Sequence, residues 1–275
     1  MSWVTLERDG LRLAGRDLGN GLPVVFQHGL GGDEAQVAEV FSDGSGFRRL
    51  TLECRGQGRS PKDDPGRYAI ATFADDVLAF ADARGIGRFV AGGISMGAAI
   101  ALRLAVRQPE RVIALVLARP AWLWQPAPQN MQMFAEVASH LRDPERQRAI
   151  ADFERSDTAR RLAREAPDNL ASMRKFLEVE DRAGLAALLS AIAADGPGVS
   201  EAELRSIRVP TLVLGTGMDL AHPLDHARTL ASMIPGAELV ELTAKSLDRP
   251  RYVAEFRAAL SGFLSRVAMK EGIRF

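Results

Sequence analysis

Short apolar runs separated by longer amphipathic stretches organise most of this chain. Residues 22–27, 47–53, 89–93, 112–117, 211–214 and 237–242 are brief runs rich in Val, Leu, Ile and Phe, the pattern of buried strands. Residues 3–6 and 11–16 read as two further strands joined at Asp9-Gly10, a strong hairpin signal. Between strands the period lengthens. In 72–84, Phe73, Val77, Phe80 and Ala81 share one helical face, with Thr72 as the expected N-cap and Gly85-Ile86-Gly87 as the stop. Residues 96–106 predict an Ala-rich helix, and 252–268 the last helix. Strands alternating with helices predict an α/β fold, a mostly parallel sheet of about eight strands flanked by helices.

The pattern changes between Pro120 and Ile207. Helical stretches at 131–141, 144–155, 158–165, 170–180 and 185–194 follow one another with no strand-like run. This predicts an inserted helical lid at 121–207, with 1–120 and 208–275 forming the core. Trp122 and Trp124 stand at its start and are expected either to pin it to the core or to line a pocket beneath it.

Composition narrows the function. Lys+Arg and Asp+Glu both total 35 in 275 residues, so nothing favours nucleic acid or an anionic membrane as partner. A single cysteine, Cys54, excludes an internal disulfide and fits a reducing cytoplasm. The N-terminus carries no secretory apolar segment and no stretch approaches 18 apolar residues. Lysine occurs only at positions 62, 175, 245 and 270, an arginine bias that hints at a GC-rich bacterial genome. The glycine-rich loops lack phosphate- or dinucleotide-binding spacing, and no His/Cys/Asp cluster has metal-ligand spacing. No metal and no cofactor are expected. The expected partner is a small-molecule substrate, and a homo-oligomer is left open.

Gly93-Ile94-Ser95-Met96-Gly97 lies between an expected strand and an expected helix, the context of a G-x-S-x-G nucleophile elbow. The turn is sharp, so its serine is strained and the glycines remove side chains that would clash across it. The hydroxyl is thereby offered at a helix N-terminus, where negative charge is favoured. Two other loops carry motifs: His28-Gly29-Leu30-Gly31-Gly32 and Arg55-Gly56-Gln57-Gly58-Arg59-Ser60. With these three motifs the chain resembles the α/β-hydrolase superfamily, in its lid-bearing branch of small esterases, C–C hydrolases and aminopeptidase-like enzymes. The resemblance implies a nucleophile at Ser95 and an oxyanion hole made by the backbone N–H groups of Leu30 and Met96, in a loop with His28 and Gly29. It also implies a triad carboxylate at Asp219, in the loop Gly215-Thr216-Gly217-Met218-Asp219. Asp33 and Glu34, just after the His-Gly loop, are expected to cap the next helix or to make the pocket mouth acidic.

The sequence departs from that family at one place. The triad histidine belongs just after the last strand, where this chain reads Thr243-Ala244-Lys245-Ser246-Leu247-Asp248-Arg249-Pro250. Only His28, His140, His222 and His226 exist, and without a base a serine hydroxyl is a weak nucleophile. His222, three residues after Asp219, is the first candidate; His226, His28 and Lys245 are others. A lysine would have to be desolvated to act. The expected function is a hydrolase-like enzyme acting on a small ester or related acyl or carbonyl compound. The alternative is a paralogue that binds a ligand or performs lyase or isomerase chemistry with the oxyanion hole.

Overall fold

The computed structural model describes residues 3–41 and 46–273. The chain opens with a hairpin, β1 (Val4–Arg8) and β2 (Leu11–Leu18), turned at Asp9 and Gly10, both at positive φ. Then come β3 (Leu22–Gln27), α1 (Glu34–Val40), β4 (Phe47–Leu52), α2 (Ile70–Ala83), β5 (Phe89–Ile94), α3 (Met96–Arg107) and β6 (Val112–Ala118). Six helices follow without a strand: α4 (Gln132–Leu141), α5 (Arg146–Glu154), α6 (Asp157–Glu165), α7 (Pro167–Leu177), α8 (Arg182–Ala194) and α9 (Glu201–Ser206). β7 (Thr211–Thr216), α10 (Leu224–Met233), β8 (Glu238–Leu242) and α11 (Arg249–Lys270) complete the chain. The eight strands lie in the order β1-β2-β4-β3-β5-β6-β7-β8, with β2 antiparallel to both neighbours and the rest parallel.

The strand period sorts side chains to two faces. In β6, Leu115 and Leu117 join a core shared with Phe73, Val77 and Phe80 of α2 and Ile100 and Leu104 of α3. Ala114 and Val116 join a second core, formed with Val37 of α1 and Phe256, Leu260 and Phe263 of α11. Strands covered on both faces must be apolar throughout, and every residue of β5, β6 and β7 is buried. Among the described residues no helix is long and apolar enough to cross a membrane.

Helix α2 starts earlier than its sequence suggests. Thr72 lies inside it, and the N-cap residue is Ala69, which has no side chain to offer. The first turn is capped from afar: the Ile70 N–H donates to Asp195 Oδ2 at 2.7 Å, from a residue just beyond α8. Trp122 Nε1 donates to the Asp195 carbonyl at 2.8 Å, and its ring is buried. Trp122 therefore pins the helical segment to the core and does not line the main cavity. Asp33 caps α1, its carboxylate accepting from the N–H groups of Ala35 and Gln36.

Between β5 and α3 the chain turns at Ser95, with φ 57° and ψ −112°. The turn is tight because β5 must deliver the chain into α3 against β3. A Cβ on Gly93 would lie 2.5 Å from the Gly97 carbonyl carbon, and one on Gly97 would drive into the Gln27 carbonyl. Neither neighbour is a flexible side-chain end, so backbone must move. Gly97→Ala is expected to lose about 3 kcal/mol of stability, in the upper range for overpacking. A urea midpoint equal to that of the parent protein would show that the turn is looser than this.

Candidate active site

A cavity of about 710 Å³ opens beyond the carboxyl ends of the central strands. The loop Gly29–Gly32 after β3, Ser95 after β5, Arg119 after β6 and Ala221 and His222 after β7 form its inner wall. Helices α4 and α7 roof it with Phe134, Asn169, Met173 and Phe176, while Lys245 and Arg249 stand at the β8 side. Ser95 Oγ makes no hydrogen bond to protein among the described residues, although the residue is only 6% exposed.

The loop after β3 is held so that one amide stays free. Gly29 N–H donates to Gln36 Oε1 at 2.7 Å and Gly31 N–H to Gln57 Oε1 at 2.8 Å. The Leu30 N–H between them, and the Met96 N–H at the start of α3, donate to no protein group among the described residues. His28 is fully buried and does not line the cavity. Its Nδ1–H donates to the Gly29 carbonyl at 2.8 Å, and its Nε2 accepts from the Cys54 N–H at 3.0 Å. Both nitrogens are occupied and burial lowers its pKa, so His28 is a neutral brace for the loop. Arg55 is another brace, fully buried against Asp76, Asp63 and Asp9.

Asp219 and His222 meet as the loop after β7 curls back on itself. His222 Nδ1 lies 2.9 Å from both Asp219 oxygens, and the His222 N–H donates to Asp219 Oδ1 at 3.1 Å. His222 Nε2 has no protein partner among the described residues. Two side chains absent from the sequence-based expectations complete the cluster. Arg119 donates from Nε to Asp219 Oδ2 at 2.8 Å, with Nη2 2.7 Å from the same oxygen and 3.2 Å from His222 Nδ1. Asn169 Nδ2 donates to Asp219 Oδ1 at 2.9 Å. Burial alone would raise the Asp219 carboxyl, but the Arg119 cation, His222 and Asn169 hold it far below the ordinary carboxylate range. Burial pushes His222 down; Asp219 opposes this and Arg119 reinforces it, leaving the imidazole neutral.

The remaining base candidates sit elsewhere or are already paired. Lys245 faces the cavity, but its Nζ is paired with Asp168 Oδ2 at 3.3 Å. His226 is on α10, away from the cavity wall, and His140 packs edge-on against Phe153 in α4 and α5. Arg119 left one readable trace, an arginine directly after an all-apolar strand at the edge where active sites form. Asn169 left none, since a polar residue on a polar helix reads as solvated.

Residues 23–245 match the family model described as alpha/beta hydrolase fold. A putative carbamate hydrolase RutD of Klebsiella pneumoniae is 30% identical over 227 residues, covering 80% of this chain and 82% of the relative. A 2-hydroxymuconate semialdehyde hydrolase of Pseudomonas putida is 27% identical, covering 84% and 82%. The crystal structure of the enol-lactonase from Burkholderia xenovorans superposes with a TM-score of 0.72 at 28% identity, over 95% of this chain and 100% of that one. The sheet order, the strained serine turn and these likenesses agree, and the chain belongs to the α/β-hydrolase family of enzymes.

Proposed function

We propose that the protein hydrolyses a small ester, lactone or related acyl compound through a covalent intermediate on Ser95, with His222 as the base. The observation that carries this reading is the position of His222: its imidazole is bonded through Nδ1 to an ionised Asp219, and it shares a cavity wall with the Ser95 hydroxyl. A histidine after β7 here takes the part usually given to one after β8. With Nδ1–H facing the carboxylate, Nε2 carries the free lone pair of a neutral imidazole. Substrate closes the remaining gap, as catalytic hydrogen bonds often tighten only in the complex.

In the first half-reaction Ser95 Oγ attacks the acyl carbon and its proton passes to His222 Nε2. The oxygen that gains charge is met by the Leu30 and Met96 N–H groups, worth about 3 kcal/mol each in comparable sites. The imidazolium returns its proton to the departing alcohol. Water then attacks the acyl-enzyme by the same route in reverse, freeing the acid and regenerating Ser95. The segment 121–207 acts as a lid: Phe134, Met173 and Phe176 give the acyl group an apolar ceiling, while charged side chains mark the mouth. The named activities of the relatives, on a carbamate, an enol-lactone and a semialdehyde, support an acyl or carbonyl substrate.

A second reading is favoured by Arg119. Its cation already neutralises Asp219, so an imidazolium on His222 gains less from the carboxylate than in an isolated pair. In that reading Ser95 only hydrogen-bonds a bound carbonyl compound. Mass spectrometry after incubation with a fluorophosphonate separates the two. One adduct on Ser95, suppressed in His222→Ala, is the expected result. An adduct unaffected by His222→Ala but lost in Lys245→Ala moves the base to the lysine. No adduct on folded protein leaves the second reading.

A further inference from the structure

We propose that Asn169 is a positioning residue, through which α7 holds Asp219, and with it His222, in working geometry; this rests on the reading of Asp219 and His222 as the acid–base pair. Asn169 is 3% exposed, and all its side-chain bonds go to consecutive residues of the loop after β7. Its Oδ1 accepts from the N–H groups of Leu220 at 2.7 Å and Ala221 at 3.0 Å, while Nδ2 donates to Asp219 Oδ1 at 2.9 Å. Only one orientation of the amide allows this, since the flipped form would face two N–H donors with its own. The loop has no regular structure of its own, so these three bonds, together with one from Asn130 Nδ2 to the Ala221 carbonyl at 2.7 Å, fix its path.

The same helix touches two other loops around Ser95. Asp168 pairs with Lys245 after β8, and the Phe176 ring covers Gly31, where a Cβ would collide with it. Phe176 and Met173 also face the cavity. One helix therefore contacts the space for substrate and the carboxylate that orients the base. Displacing α7 opens the cavity and at the same time releases Asp219.

The groups that face this cluster are Arg119 from β6, His222 from the same loop, Asp168 from α7 and Lys245 from the β8 loop. Tyr252 of α11 and Arg119 act on each other electrostatically, as do His226 of α10 and His222. Asn169→Asp is the informative variant because it keeps the shape and both acceptors but places a second carboxyl against Asp219. Two facing carboxyls cannot easily both ionise, so one takes a proton and donates as the amide did. Raising the pH removes that proton.

Steady-state kinetics against pH are expected to show a new alkaline decline of kcat/KM in Asn169→Asp, where the wild type stays on its plateau, with near-normal rates on the acid side. Asn169→Ala is expected to lose about 10–100-fold in kcat at all pH values, the scale of a small misplacement, with KM little changed. Histidine ring NMR in a Ser95→Ala background provides a readout without turnover: in Asn169→Asp the His222 titration should be shifted by a new alkaline step, absent from the parent, as the added carboxyl ionises against Asp219. A shifted titration in a protein without turnover would overturn the hydrolase reading and retain the positioning role. Wild-type kcat, pH profile and His222 titration in Asn169→Asp would overturn the positioning role, whether or not the alanine variant folds.

Discussion

Ser95→Ala is expected to lower ester turnover by about 10⁴-fold or more, the scale seen when a triad nucleophile is removed, and to leave the fold intact. The two effects separate because Ser95 Oγ bonds to no protein group among the described residues, so its loss strands no buried partner. The backbone has more to gain. With φ 57° and ψ −112°, residue 95 occupies a region comfortable only for glycine. Such strain is of order 1–3 kcal/mol, partly offset in Ser95→Gly by the extra freedom of glycine in the unfolded chain. Ser95→Gly should therefore be inactive yet about 1 kcal/mol more stable, raising the melting midpoint by about 2 °C. A destabilised Ser95→Gly variant would show that the turn stores no strain, and an active Ser95→Ala would remove Ser95 from the chemistry.

Asp219→Leu is expected to cost about 3–5 kcal/mol of stability in addition to activity, because it leaves Arg119 charged, buried and unpaired. Arg119 is bonded from two nitrogens to one carboxylate oxygen, and its side chain is 9% exposed on the cavity wall, so water replaces the lost partner only in part. The double variant Asp219→Leu/Arg119→Met should recover much of the loss, since removing both charges removes the desolvation cost as well. A urea-based double-mutant cycle measures this coupling; additive single effects would mean that the two charges act independently. The same cluster sets the acid limit of the fold. The depressed Asp219 carboxyl contributes stability above the unfolded carboxylate pKa of about 3.9, and the contribution fades as pH falls toward the folded value. His222 and His28 are also depressed, so the unfolded chain binds their protons first, and stability falls as pH drops below about 6.5.

What the sequence disclosed and what it hid follow from the range of the interactions. The central strands of the sheet were legible because burial on both faces forces unbroken apolar runs, as in Val112–Ala118. The elbow was legible because its two glycines stand at fixed spacing about the serine, although only the Gly93 clash is local and the Gly97 clash is with Gln27 of β3. The start of α2 was not, because its cap lies 125 residues away in Asp195. Arg119 resembles a solvated residue at a strand end until its partner, 100 residues further on, folds against it. His222 could be named as a candidate from its place near Asp219, but its bond to that carboxylate depends on how the loop curls. Asn169 belongs to a helix whose polar positions mostly meet water, and only the packed fold separates it from them.

The remote capping of α2 also bears on the order in which the polypeptide is made. As the chain emerges from the ribosome, the first turn of α2 has no partner for the Ile70 amide until residue 195 has been synthesised. Trp122 waits for the same residue. The amino-terminal part of the sheet thus has an open seam through most of translation, and the return of the chain from α8 closes it. Removing the helical segment to make a minimal core would take the fastener along with the roof.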